Sequence, residues 1–197
     1  MDRRGFIQLS VLAGMGVTAT SGDASAESTV YSDLLQGGAR AMTPEIIPAD
    51  RIAVYNMGLG EGKIIVDSER SRGDWWLGQF REDPHFMTFF HRHPGFDEHF
   101  FVLEGVLSLY FAGTWHDVQK GAAAMVPRGT PHAQGNTSEQ AVRFLGGGNP
   151  GGFEKLFALQ DALLKRMPAS DPGFGAEMRK IFGQVDIEIL GPPPRRS

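Results

Sequence analysis

The sequence predicts an all-β domain of short strands, followed by a C-terminal helical segment. Three observations carry that prediction. The chain of 197 residues contains 26 glycines and 12 prolines, which suits a fold of many turns and short strands. Between residues 51 and 148, apolar side chains alternate with polar ones in short runs bounded by those turn-formers. After Gly146-Gly147-Gly148 the period changes, and Phe153, Leu156, Phe157, Leu163, Leu164 and Met167 recur at helical spacing.

Composition narrows the class further. A hydrophobic content of 41% in this length supports one main domain with a real core. The net charge of -4, with no basic cluster in the body of the chain, argues against a nucleic-acid partner. The absence of cysteine excludes a disulfide framework, a thiolate metal site and a lipid-modified cysteine.

Residues 1–26 read as an export signal. Arg3-Arg4 precede Gly5-Phe6-Ile7, a mildly apolar run follows to about Ala19, and Ala24-Ser25-Ala26 offers small residues for cleavage. The arginine pair with its aromatic and aliphatic followers resembles a twin-arginine signal, which implies a periplasmic or extracellular protein exported already folded. The apolar run falls short of the roughly 20 residues that a helical span requires, so no stable membrane insertion is expected. Residues 27–50 then form an N-terminal arm, with a short helix around Tyr31 to Leu35.

The strands are expected at Arg51–Tyr55, Lys63–Val66, Asp74–Phe80, Met87–His93, Glu98–Leu103, Leu107–Phe111, Trp115–Val118 and Ala122–Val126, with a further one at His132 and a last one at Val142–Phe144. Of the adjacent pair Trp75-Trp76, alternation places one indole inside and one on the sheet surface. The glycine run at 146–148 reads as a hinge or boundary. The tail 149–197 then holds a helix over Phe153–Met167, a second helix opened by Asp171-Pro172 and ended at Gly183, and a short strand at Val185–Leu190.

The chemistry gathers between His91 and Asn136. Side chains at i and i+2 on a strand share a face, so His91 and His93 can converge on one point. Pro94-Gly95 makes a turn, after which Glu98 opens a new strand with a carboxylate that folds back toward the histidines. His132 follows Pro127-Arg128-Gly129-Thr130-Pro131, a turn able to return the chain to the same place. Three neutral imidazoles and a carboxylate suit one divalent transition metal ion per chain: iron, manganese, nickel, cobalt, copper or zinc.

The spacing His-x-His-x4-Glu-x6-Gly, from His91 to Gly105, followed by Gly-x5-Pro-x-Gly-x2-His-x3-Asn, from Gly121 to Asn136, resembles the two signatures of the cupin superfamily. One departure stands outside the ligands: the glycine usual six residues before the first histidine is here His85. The resemblance implies a double-stranded β-helix, or jelly-roll, barrel over 51–148, with His91, His93, Glu98 and His132 as metal ligands and Asn136 as a structural residue of the turn. It also implies a homodimer.

Gly151-Gly152-Phe153-Glu154 and the ending Ile189-Leu190-Gly191-Pro192-Pro193 resemble the tail of small cupins grouped with quercetin 2,3-dioxygenase. That likeness implies a metal-dependent dioxygenase acting on a flavonol-like, enolic or phenolic substrate with dioxygen. Glu98 would be both ligand and catalytic base, with Met87, Phe89, Phe100, Gln134 and Phe144 around the substrate. A non-oxidative isomerase or decarboxylase, and an exported protein that binds metal or a small molecule without turnover, are the competing readings.

Overall fold

The computed structural model describes residues 44–196, so the export signal and the arm as far as residue 43 lie outside the described residues. Among the described residues, eleven strands follow a single 3-10 turn at Ala49–Arg51. They are β1 (Ala53–Asn56), β2 (Gly60–Val66), β3 (Trp76–Glu82), β4 (Phe90–Arg92), β5 (Asp97–Glu104), β6 (Val106–Phe111), β7 (Thr114–Gln119), β8 (Ala123–Val126), β9 (His132–Gly135), β10 (Val142–Asn149) and β11 (Glu188–Gly191). Helix α1 (Lys155–Arg166) and helix α2 (Phe174–Phe182) lie between β10 and β11. No helix among the described residues is long and apolar enough to cross a membrane.

The strands pair antiparallel in two sheets, ordered β1-β2-β3-β10-β5-β8 and β11-β4-β9-β6-β7. Alternation turns one side of each sheet inward. In β5, Phe100 and Val102 are buried while Phe101 is exposed, and in β6, Leu107 and Leu109 are buried. The tryptophan pair divides as expected, with Trp76 only 2% exposed and Trp75 40% exposed.

Phe80 and Phe144 face each other from β3 and β10 as a registered pair, their rings stacked at 5.3 Å. Trp76 meets Phe80 edge-on at 6.2 Å and reaches Phe157 of α1 at 5.9 Å, so the helix joins the barrel core through aromatic contacts. Gln160 donates to the Met57 carbonyl and Asp161 accepts from the Asn56 amide, which ties α1 to the end of β1.

Three expectations are corrected here. The glycine run Gly146-Gly147-Gly148 is no hinge: it lies within β10, between β3 and β5. A methyl at Gly147 would stand 2.6 Å from the Trp76 carbonyl and one at Gly146 would stand 3.0 Å from the Phe80 ring, so the absent side chains let the backbone of β3 and the Phe80 ring lie against the strand. The Met87–His93 strand contracts to β4, because Met87 makes only an isolated bridge to Gly135. The second helix begins at Phe174 rather than after Asp171, whose carboxylate instead accepts from the Gly173 amide at 2.7 Å.

Phe144→Ala empties the stacked contact with Phe80 and the contact with Phe100 inside the barrel, and is expected to cost about 3–5 kcal/mol of unfolding free energy. Urea denaturation checks this, with a loss under about 1 kcal/mol contradicting the packing described.

Candidate metal centre

His91 and His132 sit directly opposite each other on β4 and β9 in the five-stranded sheet, and Glu98 comes from β5 in the other sheet. His93 lies just past the end of β4. One potential ligand atom from each of the four residues lies within 4.8 Å of every other, and all four side chains are buried.

Local hydrogen bonds bring them there. The turn carrying His132 is tied to the first histidine pair by the Gly129 amide, which donates to the His93 carbonyl at 2.7 Å. Gly129 takes a φ of 79°, a conformation that favours glycine. Arg128 grips Asp97, the neighbour of Glu98, through Nη2 at 2.8 Å and through its backbone amide at 2.8 Å. His85 takes a φ of 67°, the left-handed conformation that the usual glycine of the motif would adopt without strain.

The histidine tautomers follow from their partners. Nδ1 of His91 donates to the Phe89 carbonyl at 2.7 Å, that of His132 to the Thr130 carbonyl at 2.9 Å, and that of His93 to the Asp186 carbonyl at 2.7 Å. A carbonyl only accepts, so each Nδ1 carries a proton and each Nε2 is left to present a lone pair inward. Nε2 of His91 and of His93 stand 3.1 Å apart. Two donors at about 2.1 Å from a common ion, in adjacent octahedral positions, would be about 3 Å apart. Glu98 Oε2 lies 3.1 Å from His132 Nε2 and 3.7 Å from His93 Nε2. The donor set and its spacing therefore fit a divalent transition metal.

The electrostatics of the pocket agree. Burial first, then the charges of His132 and His93, lower the His91 pKa to about 3. Burial also lowers that of His93. Burial works upward on Glu98, yet the hydrogen bond from His132 and the imidazole charges hold it below the usual range. His132 is pushed down by burial but raised overall by its contact with Glu98. The carboxylate of Glu98 thus favours positive charge at the point where the four side chains meet.

The site opens on a cavity of about 550 Å³. All five residues expected around a substrate lie on its wall: Met87, Phe89, Phe100, Gln134 and Phe144. Phe89 is half-exposed and Phe144 fully buried, so they occupy opposite extremes of access. Gln134 does not bond a ligand histidine; its Nε2 donates to Glu82 Oε1 at 2.5 Å. Asn136 is buried, donates to the carbonyls of Glu82 and Gln140, and accepts from Ser138, which fits its expected structural role.

Two groups on the wall escaped the sequence reading. Glu82 is fully buried there, because β3 continues past Phe80 to residue 82. The inward alternation of Trp76, Gly78 and Phe80 extends to it, and carrying that period one step further finds it. Burial first, and then the charge of Glu98, push its carboxyl well above the usual range. Residues of the helical tail, among them Phe153, Phe157, Phe174 and Phe182, make up the rest of the roof.

With the geometry established, comparison with known proteins places the fold. Residues 80–146 match the model of the Cupin_2 family, described as a cupin domain. No curated protein sequence matches the chain. Among solved structures, KdgF from Halomonas sp. is similar over 57% of this chain and 99% of its own, at 16% identity and a TM-score of 0.50. A sugar phosphate isomerase of the cupin superfamily from Silicibacter pomeroyi is similar over 53% of this chain and 75% of its own, at 21% identity and a TM-score of 0.47. The polyketide cyclase RemF from Streptomyces resistomycificus is similar over 64% of this chain and 95% of its own, at 21% identity and a TM-score of 0.47. The chain has the cupin jelly-roll fold, and the family model and the fold together support the cupin superfamily.

Zinc binding is expected to displace the proton held by His132, whose pKa is raised above its ordinary value. Affinity should then fall about tenfold per pH unit below that pKa, with one proton released per ion bound. Competition titrations between about pH 8 and pH 5 check the slope, and an affinity that stays flat would remove these four residues as the binding site.

Proposed function

We propose that the protein is a metal-dependent dioxygenase, similar to quercetin 2,3-dioxygenases, acting on a neutral enolic or phenolic substrate. The observation that carries this is the lining of the cavity. Among the described residues its wall holds aromatic and methionine side chains beside His91, His93 and Glu98, and no lysine or arginine. A phosphorylated or dicarboxylic substrate would meet no side-chain cation there beyond a bound metal, whereas a flat, mostly apolar molecule would find a matching surface.

A transition ion held by His91, His93, Glu98 and His132 would supply Lewis acidity and electron transfer to dioxygen. The protein's own groups do the rest. Glu98 turns Oε2 toward the imidazoles, and its Oε1 makes no hydrogen bond to the described residues, which leaves an acceptor for the proton of a substrate hydroxyl. The low pKa of Glu98 keeps it ionised for that task. Phe100 and Phe144 bound the ring from the six-stranded sheet, and the tail aromatics exclude water from above.

Oxygen uptake should appear when the purified protein, reconstituted separately with iron, manganese, nickel, cobalt or copper, meets a panel of flavonols and catechols. Glu98→Gln is expected to lower the rate at least about 100-fold, the range lost with a general base. Substrate turnover without oxygen uptake would move the assignment to an isomerase or decarboxylase. A bound metal with no turnover would leave a binding protein.

Export and self-association complete the proposal. The arginine pair and small-residue stretch of residues 1–26 support a twin-arginine route. Replacing Arg3-Arg4 by lysines should retain the protein in the cytoplasm, as cell fractionation would show. Phe101 and Met125 are exposed on the six-stranded sheet, as is Trp75 just before β3, and they support a homodimer through that sheet. A monomer mass by light scattering would reject it.

A further inference from the structure

The short strand that carries the first potential ligand is paired more with the tail than with the barrel. β4 has one registered pair with β9, His91 opposite His132, and three with β11: Phe90 with Gly191, His91 with Ile189 and Arg92 with Glu188. The last is also an ion pair, with Arg92 Nη2 2.6 Å from Glu188 Oε2. The barrel holds the chain on either side of β4, where the Thr88 amide donates to the Gln134 carbonyl and the His93 carbonyl accepts from Gly129. Between those two points β11 is the larger partner.

Asp186, just before β11, grips the turn that follows β4. Its carbonyl accepts from His93 Nδ1 at 2.7 Å, and its carboxylate accepts from the Gly95 amide at 2.7 Å. A methyl at Gly95 would stand 2.9 Å from Asp186 Oδ2, so the glycine lets the carboxylate come this close. One tail residue thus holds both a potential ligand ring and the backbone two positions beyond it. That residue lies past both helices, outside the stretch 80–146 that matches the cupin model.

From this geometry we infer that Asp186 is a positioning residue of the metal centre, and that docking of the tail is linked to occupancy of the centre by a divalent metal. A histidine presents Nε2 to a metal when Nδ1 carries the proton, and an acceptor on that proton fixes the tautomer and the ring orientation. For His93 the acceptor is in place only when the tail is docked. Undocking lets the ring turn and the proton change sides, which weakens the site. Linkage is reciprocal, so the factor by which docking raises metal affinity is the factor by which metal favours docking. Phe153, Phe157, Phe174 and Phe182 of the same tail roof the cavity, and a bound metal therefore holds that roof closed.

The inference rests on reading His91, His93, Glu98 and His132 as a metal centre and is independent of the reaction performed there. Zinc affinity of the full-length protein, measured by competition titration near neutral pH, tests it. Only the binding that His132→Ala abolishes is counted. Asp186→Ala releases the Gly95 amide and should weaken zinc binding at least about tenfold, the lower end of the range for groups that orient a metal-bound histidine. Asp186→Asn keeps an acceptor for that amide and should stay within about threefold of the wild type, since only a partly exposed charge is lost. Equal losses in the two variants would make the effect one of charge, and unchanged affinity in Asp186→Ala would remove the clasp; either overturns the inference.

Hydrogen exchange tests the linkage without any variant. Zinc should slow exchange of the β11 amides in the wild type at least about tenfold. Equal rates with and without zinc overturn the linkage, even if Asp186→Ala does not fold. A wild type that binds no zinc at this site overturns the metal centre and the inference with it, whereas a zinc-binding protein that consumes no oxygen loses only the dioxygenase assignment.

Discussion

Three hydrogen bonds from histidine Nδ1 groups to backbone carbonyls are the constraint on which the site depends. By holding each proton on the outer nitrogen, they turn the Nε2 lone pairs of His91, His93 and His132 toward one another inside the barrel. Lone pairs about 3 Å apart repel unless a proton or a cation lies between them. Glu98, brought across from the other sheet with Oε2 3.1 Å from His132 Nε2, offsets that repulsion by favouring positive charge between them. The jelly roll is what lets two sheets present these groups to one point.

The three carbonyls differ in origin. His91 and His132 are each oriented by the residue two positions earlier, Phe89 and Thr130, so their own turns set them. His93 is oriented by Asp186, 93 positions away, beyond both helices. Asp186 also accepts from the Gly95 amide, and β11 pairs alongside β4 in the same sheet. Phe153, before α1, packs edge-on against the His93 ring at 4.6 Å. The tail is thus part of the candidate metal centre, and its docking and the tautomer of His93 are coupled.

The cavity follows from the same packing. Glycines in β10 let Phe80, Phe144 and Trp76 lie close to the strand, and the tail aromatics meet them to enclose an apolar chamber beside a polar ligand set. Such a chamber lowers the local dielectric, which strengthens every charge interaction at Glu98 and pushes the Glu82 carboxyl well above its usual range. The two buried carboxyls are therefore shifted in opposite directions within one cavity, by their neighbours rather than by their chemistry.

Much of this was legible in the sequence because it is encoded locally. Alternation marked most of the strands, His91 and His93 declared a shared face, and turn residues at Pro94-Gly95 and Pro127–Pro131 placed Glu98 and His132 within reach. A two-residue period and a turn need only near neighbours, so the sequence by itself determined the barrel and the candidate ligands. It did not determine that Gly146–Gly148 would be a packed strand, that β11 would join the ligand sheet, or that Gln134 would meet Glu82, 52 positions earlier. Those outcomes depend on which surfaces meet when distant segments pack together. Only the tertiary structure decides them, because their energies come from burial and from pairing polar groups across the fold, and no local period records either.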